Sequence, residues 1–393
     1  MKEAVIVSTA RTGLAKSFKG AFNATHGIPM SAACIEAAIQ RANIPCEKIE
    51  DVILGCGLPE GATGHNIARN AAIAAKCPVT VPGMTVNRYC ASGLQAIATA
   101  ASRIMVDGID IAMGGGVESL SLVQYQLNQN HFIYPPLAST YPGLWMPMID
   151  TADIVAKRYH ITRQEQDDYA LESQKRTALA QKNGAFDDEI IPFTTKMGVK
   201  DDETNNIKML EVTLDKDECN RPETTIEALS SLTPVRGEKN FITAGNACQM
   251  SDGASVCLLT SSTFSEKNNL NPLGIFKGLA VAGCEPDEMG IGPVFAIPKL
   301  LKQHGLSVDD IDLWEINEAF AVQVIYCQKK LNIDPKKLNV NGGSIAIGHP
   351  YGMTGSRLSG HILIEGKRRG AKYAVVSMCI GGGMGAAGLF EII

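Results

Sequence analysis

Four short stretches carry residues able to do chemistry. The first is "VNRYCASGLQAIATAA", residues 86–101, where Cys90 ends an apolar run and opens a small-residue helix pattern. A thiol at a helix start faces free backbone N–H groups and the positive end of the dipole. That placement favours the thiolate, and the same N–H groups can hold an oxyanion. It also suits a plain core residue, because free cysteine is often buried. Cys34, Cys46, Cys257 and Cys327, in apolar or helical stretches, read as packing residues of that kind.

The second stretch, "GGSIAIGHPYGMTGSR" at 342–357, sets His349 between Gly348 and Pro350. A lone histidine is commonly structural, but here glycines allow close backbone approach and a proline stiffens the turn. A neutral imidazole there is the base that an activated thiol needs. The third, "VVSMCIGGGMGAAGLFEII", ends the chain and puts Cys379 at a strand tip before a glycine run. Gly383, Gly385 and Gly388 form a G-x-G-x-x-G pattern, yet only five residues follow Gly388. No helix, second strand or ribose-binding acid fits after it, so a dinucleotide fingerprint is excluded and an anion-binding turn is expected. The fourth, "WEINEAFA" at 314–321, places Asn317 and Glu318 after a buried strand, where either could cap a helix and Asn317 could hold a water.

The elements that must position these residues alternate between strand and helix. "EAVIVSTA" and "DVILGCG" read as buried strands, and "IPMSAACIEAAIQRAN" has helical spacing. Leu94, Ile97, Ala98, Ala101 and Ile104 mark the helix after Cys90, and "DIAMGGG" the strand after that. Residues 121–245 differ in texture. They hold a charged amphipathic helix opened by Thr162 and Glu165 as a capping box, within polar, strand-poor connections. This block reads as an insertion covering the main body. Beyond it the alternation resumes and repeats the first part in order. "DDVILGCG" matches "DIDLWEINEAF", "TVNRYCASG" matches "NVNGGSIAIGHP", and "DGIDIAMGGGVES" matches "RGAKYAVVSMCIGGGMGA". Three ordered matches indicate an internal duplication, with equivalent loops of both halves opening on one side.

Composition narrows the partners. A chain of 393 residues affords two or three cores, and 45% hydrophobic with 20% charged residues describes an ordinary α/β protein. A net charge of −5 without a basic run argues against nucleic acid. The eleven cysteines are odd in number and form no C-x-x-C pair, and the seven histidines form no H-E-x-x-H or Cys/His cluster. No metal site is therefore expected, and the thiols read as reduced, as in the cytoplasm. The apolar part of "MKEAVIVSTARTG" is too short for a signal-peptide core or a membrane span.

Taken together, "NRYCASGLQA", "NEAFA", "NGGSIAIGHPYGMTGSR" and "CIGGGMGAAG" resemble the thiolases, acetyl-CoA C-acyltransferases that cleave or form 3-ketoacyl-CoA. The motifs stand in family order and span almost the whole chain, with "GGVES", "TAGNA" and "GCEPDEMGIGPVFA" between them. The resemblance implies a duplicated five-layered α/β/α/β/α core with an inserted loop domain. Residues 1–120 plus 246–270 would form the N-terminal half, 121–245 the loop domain over the coenzyme A site, and 271–393 the C-terminal half. It implies a homodimer or homotetramer acting in fatty acid β-oxidation, with acyl-CoA and CoA as ligands and no permanently bound cofactor.

Site roles are implied residue by residue. Cys90 matches the nucleophile, His349 its base, and Cys379 the acid/base that exchanges a proton with the acetyl α-carbon. Asn317 matches the residue whose water joins His349 in one oxyanion hole, and the N–H groups of Cys90 and Gly381 would form the other. Met148 aligns with a residue lining the acyl pocket. Ala319 and Phe320 of the NEAF motif, Cys248 and Arg221 are the expected CoA contacts, Arg221 for a phosphate. Cys248 departs from the family, where many members have serine near the pantetheine. The short "ECNRPETTIEAL" lacks the longer segment of short-chain synthetic thiolases. The motifs look most like bacterial degradative members, including those acting on long, branched or steroid side-chain esters, so thiolysis is expected over acetoacetyl-CoA synthesis. Decarboxylating ketosynthases and hydroxymethylglutaryl-CoA synthases share the fold, but use Cys-His-His or Cys-His-Glu sets. A non-catalytic CoA- or lipid-binding protein is the alternative from another class; all three reactive residues, Cys90, His349 and Cys379, are present here.

Overall fold

The computed structural model describes residues 2–201 and 205–393. The buried run "AVIVSTART" forms β1 (Ala4–Thr12), followed by the two-residue β2 (Ala15–Lys16), β3 (Asp51–Gly55), β4 (Gly83–Val86) and β5 (Ile111–Glu118). The middle block supplies β6 (Ile190–Ile191), β7 (Phe193–Lys200) and β8 (Ile207–Leu214). Then come β9 (Ser251–Ser261), β10 (Gly274–Gly283), β11 (Leu313–Ile316), β12 (Tyr373–Ile380) and β13 (Met384–Ile392).

Nine of these run side by side in the order β11-β12-β13-β10-β1-β9-β5-β3-β4, with β2 beside β9 and β6 beside β1. The order contains the duplication. On one side, β4 and β5 flank β3 in parallel, and β9 then pairs antiparallel with both β5 and β1. On the other, β11 lies parallel to β12, and β13 pairs antiparallel with both β12 and β10. A parallel bridge from Trp314 to Leu338 takes the place that β4 has in the first half. The halves join through three antiparallel pairs between β1 and β10, from Ala4↔Phe276 to Ile6↔Gly274.

Seven helices matter for position: α1 (Gly27–Ala42), α2 (Ser92–Ser102), α3 (Met148–Arg158), α4 (Arg163–Lys182), α5 (Pro293–His304), α6 (Ala321–Leu331) and α7 (Tyr351–Arg369). α1 packs on the first half-sheet through Met30, Cys34, Ile35 and Ala38, while α5 and α6 pack on the second through Ile297, Leu300, Val324 and Cys327. Between the half-sheets lie α2 and α7, giving the layers α/β/α/β/α. α7 is buried on nearly every side, which explains its run of small residues. Its backbone meets that of α2: a Cβ added to Gly355 would lie 2.4 Å from the Leu94 nitrogen, and one on Gly93 2.7 Å from the Gly352 oxygen. Only glycine allows that approach.

The capping box forms at α4, with the Thr162 hydroxyl accepting from the Glu165 N–H and Glu165 from the Thr162 N–H. The block around it holds more strand than its polar texture suggests. β7 and β8 make a two-stranded antiparallel ribbon from Phe193↔Leu214 to Lys200↔Ile207. Most of its side chains face solvent, so the apolar alternation that signals a strand is weak there.

Candidate active site

Cys90 stands on a sharp elbow between β4 and α2. A 3-10 turn over Tyr89–Ala91 carries it, and Tyr89 takes the left-handed region at φ 44°. Two side chains hold that strained turn: Asn87 Oδ1 accepts from the Tyr89 N–H at 2.7 Å, and Ser92 Oγ donates to the Tyr89 carbonyl at 2.7 Å. The thiol accepts from the backbone N–H of Gly381 and from its own N–H. It is half-exposed, yet not the ready thiolate that a helix start predicts. Burial of the sulfur pushes it up to about 12, and the Gly381 N–H only partly offsets this. Desolvation outweighs the backbone dipoles.

Asn317 follows β11, and Cys379 is the next-to-last residue of its parallel neighbour β12; the last pair of the two strands is Ile316↔Ser377. The Asn317 N–H donates to the Ser377 carbonyl at 2.9 Å. Its Oδ1 accepts from Ser344 Oγ at 2.6 Å, which turns Nδ2 toward His349 Nε2, 3.3 Å away. Neither Asn317 nor Glu318 caps the helix that follows. Glu318 is buried and accepts from Tyr169, Ser173, Asn339 and the Ile345 N–H, tying the 343–349 loop to α4.

His349 is 2% exposed, just before α7. Its Nδ1 lies 2.6 Å from Thr354 Oγ1, and that hydroxyl spends its proton on the Pro350 carbonyl at 2.9 Å. The threonine oxygen must then accept from Nδ1–H, which leaves Nε2 unprotonated, the basic nitrogen, with its lone pair accepting from the Asn317 amide. Burial, then the Arg357 charge, lower His349 to about 3, so the imidazole rests neutral. Its ring meets that of Tyr351 edge-on at 5.2 Å. Burial holds the Tyr351 phenol up, and a thiolate at Cys248 or Cys90 would raise it further.

Cys379, at the end of β12, is fully buried and raised well above an ordinary thiol by that burial, with Cys90 and Cys248 adding to the shift. The turn after it, with Gly382 and Gly383 at φ 82° and 85°, presents the Gly381 N–H to Cys90. Gly385 and Gly388 are not part of that turn; both lie in β13, against Gly292 and Leu94. Met148, the first residue of α3, packs over Gly381, its sulfur 3.3 Å from where a Cβ there would stand. Cys248 donates its N–H to the Ala319 carbonyl at 3.0 Å, and Ala247 bridges to Phe320, so these residues form one wall. Burial pushes the Cys248 thiol up to about 12, and a thiolate at Cys90 would add to that.

Cys90, His349, Cys379, Asn317, Gly381, Cys248 and Met148 are thus linked through contacts or through the effect each would have on the next if ionised, with Ala319 and Phe320 beside them. Arg221 is apart. It is exposed, its backbone N–H donates to Gln174 Oε1 at 2.9 Å, and among the described residues its guanidinium joins none of this cluster. Sequence reasoning missed Thr354 and Ser344, which set the histidine tautomer and the asparagine orientation. It also missed Glu118, whose carboxylate accepts from the N–H groups of Gly57, Leu58 and Gly352. Thr354 had a faint signal: a hydroxyl in the first turn of the helix that His349 precedes.

The chain is matched by the family models for the thiolase N-terminal domain at residues 4–263 and the thiolase C-terminal domain at 270–392. It is 45% identical to a 3-ketoacyl-CoA thiolase of Bacillus subtilis over 397 aligned positions covering all of both chains. Among solved structures it resembles human mitochondrial 3-ketoacyl-CoA thiolase in complex with CoA, with a TM-score of 0.87, 35% identity, and 100% and 98% of the two chains covered. It is equally similar to the dimeric peroxisomal thiolase of Saccharomyces cerevisiae, with a TM-score of 0.88, 38% identity, and 100% and 97% covered. With both family domains matched in order and a full-length relative at this identity, the chain belongs to the thiolase family.

Proposed function

We propose that this protein is a 3-ketoacyl-CoA thiolase that uses coenzyme A to cleave 3-ketoacyl-CoA into acetyl-CoA and a shortened acyl-CoA. The observation that carries this reading is the meeting of two thiols and one neutral imidazole from both halves of the duplicated fold. Cys90 passes its proton to His349 Nε2, and its sulfur attacks the 3-keto carbon. The C2–C3 bond breaks, its electron pair passes to the acetyl-CoA enolate, and Cys379 protonates that carbon. Free CoA then gives its thiol proton to Cys379 and attacks the Cys90 thioester. The shortened acyl-CoA leaves, and His349 returns its proton to Cys90. Every proton and electron pair is accounted for.

The resting charges support this order. Two thiols held up by burial and a neutral imidazole keep the site uncharged until a carbonyl arrives to take the developing negative charge. The N–H groups of Cys90 and Gly381, already aimed at the sulfur, suit the oxyanion of the Cys90 adduct, while Asn317 and His349 face the other oxygen. Met148 lines the acyl side, and Cys248, Ala319 and Phe320 the pantetheine side. Arg221 keeps a role only as a distant phosphate contact. The protein works as a homodimer, like the dimeric yeast thiolase, or as a tetramer, in fatty acid β-oxidation. Its eleven free thiols suit the cytoplasm, and among the described residues no helix is long and apolar enough to cross a membrane.

The test is thiolysis of a 3-ketoacyl-CoA panel from four carbons to steroid-sized chains. Cys90→Ala should abolish cleavage of every member, and more than a few per cent of wild-type activity would refute the nucleophile. Cys379→Ala should stop exchange of acetyl-CoA α-hydrogens with solvent while Cys90 still reacts with iodoacetamide. Turnover confined to the four-carbon member would favour acetoacetyl-CoA thiolase, and no turnover with tight CoA binding a non-enzyme.

A further inference from the structure

Two helices of the first half end side by side, and each end leads into a thiol. α1 stops at Asn43, which takes the left-handed region at φ 50°, and the chain then enters a 3-10 turn over Cys46–Lys48. The short helix Ile67–Ala74 stops in the same way. Lys76 is left-handed at φ 61°, and the Cys77 N–H donates to the Ala72 carbonyl at 3.1 Å. This second cap turns the Lys76 carbonyl toward Cys46, whose sulfur lies 3.9 Å from it. That carbonyl belongs to the peptide bond leading into Cys77, so the two cysteines are neighbours in space, and their thiols hydrogen-bond to each other. Both pack on the core that α1 covers, with Cys77 5% exposed and Cys46 half-buried at the rim. Other thiols give their hydrogens to oxygen: Cys34 to the Ala254 carbonyl at 3.3 Å, Cys56 to Glu118 at 3.4 Å and Cys257 to Thr9 at 3.7 Å.

We propose that Cys46 and Cys77 form a reversible disulfide by exchange with a small-molecule disulfide such as oxidised glutathione. The pair takes no part in the thiolase reaction, so this idea stands or falls separately from it. Cys46, the more exposed of the two, reacts first. Its thiolate attacks one glutathione sulfur, a glutathione thiolate leaves, and a mixed disulfide forms. Cys77 then gives up its proton and attacks the Cys46 sulfur, and the second glutathione leaves as a thiolate. The protein loses two electrons and two protons, and one glutathione disulfide becomes two glutathione thiols. The surroundings fit this order. Burial pushes Cys77 up to about 11, and a thiolate at Cys46 or the Glu36 carboxylate adds to that, so Cys77 suits the second step. Glu36 is itself paired with Lys76 at 3.5 Å, and Glu47 Oε2 lies 3.7 Å from the Cys46 sulfur.

Topology keeps the pair away from the reacting cysteine. β3 and β4 are parallel, so Cys46 and Cys77 stand before the amino ends of these strands, whereas Cys90 follows the carboxyl end of β4. The disulfide would close residues 46–77 into a loop that contains β3 and the Gly57 and Leu58 N–H groups bound to Glu118. Closing so long a loop restricts the unfolded chain and so favours the folded one.

The experiment equilibrates the full chain at pH 8 in glutathione buffers from reducing to oxidising. Acid stops the exchange, and N-ethylmaleimide in urea blocks the remaining thiols before tryptic mapping by mass spectrometry. Cleavage after Arg41, Lys48, Lys76 and Arg88 places the two thiols in peptides 42–48 and 77–88. In the oxidising buffers these should appear joined, and dithiothreitol should separate them. Cys46→Ser should leave Cys77 free, and Cys77→Ser should stop Cys46 at the mixed disulfide, heavier by one glutathione. Should Cys77→Ser fail to fold, Cys77→Ala keeps the apolar packing and should give the same adduct. A wild-type Cys46 that stays at the mixed disulfide overturns the proposal. So does a series in which both peptides remain blocked by maleimide throughout, or one in which Cys46 or Cys77 is joined to a different cysteine.

Discussion

Thr354 shows how much of this site depends on groups outside the reacting set. Its hydroxyl has one proton, committed to the Pro350 carbonyl, so it serves His349 Nδ1 as an acceptor and nothing else. Thr354→Val keeps the shape and removes that acceptor. We expect stability to fall by about 1 kcal/mol, the ordinary net worth of one buried hydrogen bond. Thiolysis should fall about tenfold to a hundredfold in kcat with little change in KM, because the imidazole loses its fixed tautomer. Thr354→Ser, which keeps the hydroxyl, should recover most of the rate. Equal losses in both variants would place the effect in packing. At this scale the sequence marks residues that the structure brings together, but not their resting state. The position of Cys90 at a helix start was legible, but the burial that lifts its thiol was not. Even the N–H that partly offsets that burial comes from the Gly381 turn, more than 200 residues away in the chain.

At the scale of elements, Glu118 gathers three chain ends at one carboxylate. It closes β5 and accepts from the Gly57 and Gly352 N–H groups at 2.8 Å, from Leu58 at 3.1 Å and from Cys56 Sγ at 3.4 Å. Those donors belong to the loop after β3 and to the first turn of α7, so the carboxylate also sits at the positive end of a helix. Burial raises its pKa, and the Gly352 and Gly57 N–H groups draw it back. Glu118→Gln puts an amide N–H where acceptors are needed and leaves backbone donors unpaired. We expect a loss of about 2–3 kcal/mol in urea unfolding. Activity should drop as well, because α7 begins two residues after His349. A variant as stable as the wild type would show that the β3 loop and α7 are held by packing alone. The strands and helices themselves were legible, since a buried strand is a run of apolar residues and the duplication repeats that run. Glu118 was not, because in "GGVES" nothing local distinguishes a buried carboxylate from an exposed strand end. The β7–β8 ribbon escaped for the opposite reason: with both faces mostly wet, no apolar period marks it.

Over the whole molecule, one buried charge cluster ties the inserted block to both halves of the core. Arg11 of β1 makes ion pairs with Asp217 at 2.7 Å and Glu189 at 2.8 Å, and Glu189 also meets His361 of α7 at 3.1 Å. Glu189 and Asp217 lie on either side of the β7–β8 ribbon, so the cluster anchors the block at its two roots. Burial opposes the charge on Glu189, but Arg11 and His361 outweigh it and hold the group at about 2, against 4.5 for a free glutamate. Its folded pKa is depressed, so its contribution is fully present above pH 4.5 and is lost as pH falls toward 2. Glu189→Gln removes that contribution and leaves Arg11 facing one carboxylate instead of two. Breaking one partner of a buried ion pair costs about 3–5 kcal/mol. The thermal transition of the variant should therefore lie well below that of the wild type at pH 7. The gap should narrow steadily below pH 4.5, as the wild type loses what the variant never had. Limited proteolysis at pH 7 should cut the variant first between residues 190 and 217, because the block is released before the sheet. A gap that stays constant down to pH 3, with no early cleavage there, would mean that apolar contacts such as Phe186 with Ile347 and Met353 hold the block, and that the charges merely accompany them.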